Sequence, residues 1–177
     1  MKKPVGHAPV RAMMPYRPCV GAALFRQDGL VFIGRRKPAK GPEYDAEALD
    51  WQMPQGGIDG DEPAETAARR ELYEETNVRS VTLIGESPVW FHYDLPDAAL
   101  GRALQGRFRG QTQKWFAYRF DGKDSEIDVL TPAGGAHGHE FVEWRWERLD
   151  RLPALIVPFK RGVYEQIAGA FAGLTGR

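Results

Sequence analysis

The chain has one cysteine, Cys19, among 177 residues. A single thiol excludes an intrachain disulfide and a cysteine-rich zinc cluster, and the expected setting is reducing and cytoplasmic. Cys19 itself reads as a small buried apolar residue rather than a nucleophile. Charge of either sign in excess is also missing: 24 basic and 24 acidic residues balance to zero, which argues against a broad basic surface for a DNA duplex. No apolar run approaches the roughly 20 residues that span a bilayer. There are no internal repeats and no linker, so the 42% hydrophobic content is read as the core of one domain. Acids are absent from Met1 to Arg17, which carries Lys2, Lys3, Arg11 and Arg17 and is broken by Pro4, Pro9 and Pro15. Without an apolar h-region this is not a targeting segment, and residues 1–15 are expected to form a basic, flexible arm ahead of a domain over 16–177.

What is present centres on Gly56 to Val78, GGIDGDEPAETAARRELYEETNV. Gly56, Gly57 and Gly60 predict a turn, and Asp61, Glu62 and Pro63 suit the positive first turn of a helix. Glu71, Glu74 and Glu75 follow at i, i+3 and i+4 and share one face. At about 100° per residue that face continues the stripe of Ala64, Ala67 and Ala68, with Leu72 alongside, while Thr66, Arg69, Tyr73 and Thr76 fall opposite. An acidic helix surface pairing with Arg69 or Arg70 is the usual account of an EE pair. Here the carboxylates lie on the small-residue side, which faces the body of the protein. Carboxylates held together there repel unless a cation lies between them or their pKa values rise. Hard divalent cations such as Mg²⁺ take such oxygens and share them with substrate phosphates.

These residues resemble a known motif. Gly56, five residues, Glu62, seven residues, then Arg70-Glu71-Leu72-x-Glu74-Glu75-x-Asn77-Val78 is similar to the Nudix box, with Asn77 where the family usually has glycine. Asparagine is the residue next most tolerant of the left-handed backbone that ends a helix, so the departure is mild.

Elsewhere, Cys19 to Phe25 reads as a buried strand and Leu30 to Gly34 as its hairpin partner across Gln27-Asp28-Gly29. Lys37 to Asp50 is a long polar loop, and Trp51 to Pro54 a short strand. Strands are expected over Ser80–Gly85, Val89–Tyr93 and Gln113–Phe120, with Asp121-Gly122 as a turn. Leu95–Gly110, with Arg102, Arg107 and Arg109, is ambiguous between loop and a helical turn. Pro132–His139 reads as a flexible glycine loop whose His137 and His139 are solvated rather than metal-binding. Val142, Trp144 and Trp146 alternate on a strand, and Phe159, Val163, Ile167 and Phe171 mark an amphipathic helix packed on the sheet. The order of elements gives an α/β domain with helices on both sides of a mixed sheet.

The resemblance sharpens this to an α/β/α sandwich. It extends through Tyr16-Arg17-Pro18, Trp51 to Gly57, Gln113 to Phe116, Glu140-Phe141, Trp144 to Trp146 and Phe159 to Arg161, residues similar to the branch holding bacterial RNA 5′ pyrophosphohydrolases and dinucleoside polyphosphate (Ap4A) hydrolases. It implies that Glu71, Glu74 and Glu75 carry Mg²⁺ (Mn²⁺ able to substitute), joined by Glu140 and Gly56. Those four glutamates are then the catalytic set, with Glu71 as the first choice of base and Glu140 the second. Arg17 and Arg36 are implied as phosphate contacts, Tyr93 and Lys160 as lining of the nucleotide site, and Gly57, Glu62 and Arg70 as structural members of the motif, Arg70 pairing with Glu62. The implied reaction is hydrolysis of a pyrophosphate bond, at an RNA 5′ triphosphate end or in Ap4A. A non-catalytic nucleotide sensor would be expected to lack box carboxylates, and all are present.

Overall fold

The structure, a computed structural model, describes residues 11–37 and 50–175. The first ten residues of the expected arm, and positions 38–49 of the expected Lys37–Asp50 loop, lie outside the described residues. From residue 11 onward the arm is packed: Arg11–Met13 form a 3-10 turn, Arg11 donates to the Leu95 carbonyl at 2.8 Å and pairs with Asp97, and Met14 is buried.

The sheet is built around two strands far apart in the chain. β1 (Tyr16–Phe25) and β7 (Gly110–Phe120) run parallel in unbroken register from Tyr16↔Gly110 to Phe25↔Arg119. Every other pairing among the described residues is antiparallel: β2 (Val31–Arg36) with β1, β3 (Trp51–Gln52) and β8 (Phe141–Glu147), β4 (Gln55–Gly57) with β1, and β5 (Val81–Glu86) and β6 (Phe91–Asp94) with β7. The resulting order is β3-β2-β1-β7-β5, a mixed sheet as expected.

Successive side chains of a strand point to opposite faces. On one face Val20, Ala22 and Leu24 of β1 join Phe116, Tyr118 and Phe120 of β7 beneath α1 (Ala64–Thr76). On the other, Ala23, Phe25, Trp115 and Ala117 pack under α2 (Leu152–Leu155) and α3 (Arg161–Phe171). Both faces are covered, which is why the apolar run of β1 is continuous rather than alternating. α3 buries Val163, Tyr164, Ile167 and Phe171, each worth about 1.5–3 kcal/mol on removal from water.

Several boundaries differ from the sequence reading. The expected strand over Trp51–Pro54 is two short strands: β3 pairs with β2, then the chain crosses to pair as β4 with β1, and Pro54, lacking an N–H, sits at the crossing. Gly56 and Gly57 are therefore strand residues, and of the three glycines only Gly60 has a positive φ. Pro63 is the extended N-cap of α1 rather than its first helical residue, and its carbonyl accepts from Ala67 N at 3.0 Å. Thr76, expected on the polar side, is fully buried and satisfies its hydroxyl on the Leu72 carbonyl at 2.6 Å. Trp144 and Trp146 are partly buried, packed over Phe32. The short helix α2 had no periodicity in the sequence to announce it, being only four residues long.

Candidate active site

α1 ends where the sequence indicated. Asn77 adopts the left-handed conformation (φ 67°), its N–H closes on Tyr73 O at 2.8 Å, and its side-chain amide donates to Glu126 O at 3.1 Å. The helix lies with Ala67, Ala68 and Leu72 against the sheet, and that seating carries Glu75 inward until it is 8% exposed.

The strand β4 runs beside the same helix face, and here the two glycines matter. A Cβ on Gly56 would lie 2.1 Å from the Glu71 carboxyl carbon, and one on Gly57 would lie 2.3 Å from Arg17 Nη2. Only bare backbone lets the carboxylate and the guanidinium approach the strand.

Arg70 organises the outer side of this cluster. It donates to Glu62 (2.5 and 3.3 Å), to the Gly57 carbonyl at 2.9 Å and to Glu71 at 2.8 Å, and stands 3.6 Å from Glu74. The Arg70–Glu62 pair is the one expected from the sequence. Arg69 pairs instead with Glu65 at 2.6 Å, away from the cluster.

Deeper in, positive charge comes from other elements. Arg36, at the end of β2, holds Glu140 at 2.7 Å, and the Lys37 N–H donates to the Glu140 carbonyl at 2.8 Å. Lys160, from the turn before α3, is 6% exposed; its Nζ donates to Gln52 Oε1 at 3.3 Å and stands 5.6 Å from the Tyr93 ring centre. Tyr93 is buried in the core, tilted against Phe159.

The electrostatics follow from this crowding. Burial pushes the Glu75 carboxyl well above the usual range, the charges of Glu140 and Glu71 push it further, and a Gln55 backbone N–H opposes them. Burial also raises Glu71, against the pull of Arg70. The Lys160 ammonium is brought down to about 8, first by burial and then by Arg36. Cys19, fully buried, has its thiol pushed up to about 11 by burial, which suits an inert apolar residue and not a nucleophile.

Residues not assigned to the site from the sequence complete the surroundings. Asp50, whose carbonyl accepts from Arg36 N at 2.8 Å, has a buried carboxylate oxygen with no hydrogen-bond partner. Gln113 donates to Gln55 and Gln111 at 2.9 Å and accepts from the Trp115 indole at 3.0 Å, an amide chain leading to the strand of Gly56. His137, expected to be merely solvated, is exposed but has its Nε2 3.7 Å from Glu74 Oε1. Arg109, in the ambiguous arginine-bearing stretch, is taken up by Asp94 at 2.7 and 3.0 Å.

Among the described residues no three carboxylate, imidazole or thiol groups converge into a ready-made cation cage. The donor set nonetheless fits a hard divalent ion. Glu75 Oε2 is buried without a hydrogen-bond partner, and its neighbours Glu71 and Glu140 raise its proton affinity. An unpaired buried carboxylate oxygen costs several kcal/mol unless a proton or a cation meets it.

A family model described as the NUDIX domain matches residues 15–167. The chain belongs to the Nudix family of pyrophosphate-bond hydrolases. Enzymes of this family generally use divalent metal ions. Its curated relatives include an RNA pyrophosphohydrolase of Bradyrhizobium sp. (strain ORS 278), 60% identical over 92% of this chain and 96% of the relative. Another RNA pyrophosphohydrolase, from Azorhizobium caulinodans, is 57% identical over 89% of this chain and 93% of its own. Among solved structures, the fold is similar to that of the E. coli dihydroneopterin triphosphate pyrophosphohydrolase, with a TM-score of 0.60 at 21% identity, covering 86% of this chain and 96% of that one. It is also similar to a C. elegans Ap4A hydrolase, with a TM-score of 0.58 at 16% identity, covering 89% of this chain and 98% of that one.

Proposed function

We propose that the chain converts RNA 5′ triphosphate ends to 5′ monophosphates in a reaction dependent on Mg²⁺, with Mn²⁺ able to substitute. The observation that carries this reading is the buried, unpartnered Glu75 oxygen between Glu71 and Glu140, with Arg36 and Lys160 close by. Relatives at 56–60% identity are named RNA pyrophosphohydrolase, which supports RNA as the substrate.

Glu71, Glu74, Glu75 and Glu140 would hold the metal, together with the backbone at Gly56. When bound, a divalent cation offsets the charge of the polyphosphate and lowers the pKa of water. The protein's own contribution is positional. Lys160 supplies positive charge to phosphate oxygens from a buried position, where electrostatic stabilisation is strongest, and Arg36 from a partly exposed one. Arg17, over Gly57, is assigned a phosphate contact as well. Tyr93 stands beneath Lys160 and keeps that wall of the nucleotide site apolar. Glu71 is the base we assign: burial raises its carboxyl against the pull of Arg70, and it lies against the bare backbone of Gly56.

Competition between a 5′ triphosphorylated oligonucleotide and Ap4A on one preparation tests the substrate. A higher kcat/KM for the RNA end is expected, and a much higher value for Ap4A would overturn it. Turnover of neither would leave a nucleotide sensor.

A further inference from the structure

We propose that Tyr164 is a positioning residue of the cation site: through the Met53 backbone its hydroxyl holds the crossing between β3 and β4, so that the Gln55 N–H fixes the Glu75 carboxylate. The inference rests on the metal-dependent reading above and concerns a residue on the opposite helix, outside the box.

The hydrogen bonds of the crossing are the first ground. It runs Gln52-Met53-Pro54-Gln55. Pro54 has no N–H and offers only its carbonyl, which accepts from Ala22 N at 2.9 Å. Met53 belongs to neither strand, and its buried N–H donates to the Tyr164 hydroxyl at 3.0 Å. The Gln55 N–H turns to the Glu75 carboxylate, whose Oε2 is left without a hydrogen-bond partner. Buried backbone donors need acceptors. Here one donor is met from α3, and the next along the crossing holds a carboxylate of α1.

The second ground is that Tyr164 is itself held in place. It is fully buried, and its ring meets Trp115 edge-on with centroids 5.8 Å apart. Trp115 lies over Gly21, where a Cβ would stand 2.5 Å from the indole, and Gly21 is the strand partner of Gln55. The indole N–H donates to Gln113 at 3.0 Å, and Gln113 donates to the Gln55 side chain at 2.9 Å. Tyr164, Trp115, Gln113, Gln55 and Met53 thus close a ring of contacts around the crossing. Packing on the sheet uses the tyrosine ring; the oxygen serves the Met53 N–H. Without that oxygen a buried donor is left unmet, and the crossing must shift to satisfy it.

Groups that orient a metal ligand from behind typically set its affinity by about 10–100-fold. The hydroxyl stands in that relation to Glu75, acting through the backbone from Met53 to Gln55.

Tyr164→Phe removes one oxygen and keeps the ring. The test is calorimetry with Mg²⁺ on full-length wild type, Tyr164→Phe and Ile167→Ala, the last being a buried loss one turn along the same helix. Amide hydrogen exchange is followed on the metal-free proteins. Mg²⁺ affinity should fall about tenfold in Tyr164→Phe and stay near wild type in Ile167→Ala. The Met53 and Gln55 amides should exchange slowly in wild type and faster in Tyr164→Phe. In kinetics the Mg²⁺ concentration for half-activation should rise about tenfold in Tyr164→Phe, with kcat largely restored at saturating Mg²⁺. Fast exchange at Met53 in wild type, or equal Mg²⁺ affinity in wild type and Tyr164→Phe, overturns the inference and leaves the hydrolase reading standing. An equal loss of affinity in Ile167→Ala overturns it too, because the tyrosine would then act only as core. No Mg²⁺ binding by wild type overturns both.

Discussion

The helices α1 and α3 cover opposite faces of one sheet and bury themselves by different rules. α3 follows the amphipathic pattern throughout, placing Val163, Tyr164, Ile167 and Phe171 on the sheet. α1 begins that way with Ala67, Ala68 and Leu72, then puts Glu75 and Thr76 where an aliphatic side chain would be expected. Small residues bring α1 close to the strands, and closeness is what buries the carboxylate. The comparison separates two tasks: α3 supplies stability through apolar area, while α1 gives up some of that area to hold charge at a fixed place. Proteins tolerate such local violations at functional sites.

The sharpest way to break this comparison is to neutralise the violation. Glu75→Gln is expected to lower kcat/KM by about 10²–10³-fold while the fold persists, read by steady-state kinetics beside a thermal melt. The counterpart on the other helix is Ile167→Ala, fully buried in wild type. It should cost about 2–5 kcal/mol in denaturant unfolding and leave turnover of the folded enzyme nearly unchanged. If Ile167→Ala abolished turnover in fully folded protein, the division of labour would be wrong.

Gly56→Ala probes how closely α1 and β4 approach. Its Cβ would collide with Glu71, so a loss of about 10–100-fold in activity is expected from the displaced carboxylate. A pH series on metal-free protein tests the burial of Glu75. Its folded pKa lies above the unfolded value, so folding binds a proton as pH rises past the ordinary range near 4.5. The stability this group contributes is present below that value and is lost as pH rises through the folded pKa. Urea unfolding in a chelator should therefore show stability falling with pH, with a smaller fall in Glu75→Gln. The smallest effect belongs to Asn77→Gly. Relief of the left-handed backbone is offset by loss of the bond to Glu126 O, and the change should stay within about 0.5 kcal/mol.

What could be read in advance was whatever has a local cause. The carboxylate face of α1 and the Asn77 terminus are set by residues within one turn of each other, and the apolar runs of β1 and β7 are contiguous. Spacing had no access to contacts across long stretches of chain. Lys160 meets Gln52, Gln113 meets Gln55, and His137 meets Glu74 only because the sheet brings them together. The split of Trp51–Gly57 into two strands was hidden for the same reason, since their partners β2 and β1 lie elsewhere. For Asp50, a long polar loop gave no sign that its last residue turns inward.

The parallel seam between β1 and β7 bears on how the molecule is made. Its two halves are separated by the entire acidic helix and the five strands β2 to β6. Pairings of such long range close slowly, and chain synthesis delivers them late. A nascent polypeptide halted before residue 110 would carry all its box glutamates and lack β7, whose Phe116 and Tyr118 complete the core beneath their helix. Competence for chemistry therefore arrives only with the second half of the translation product.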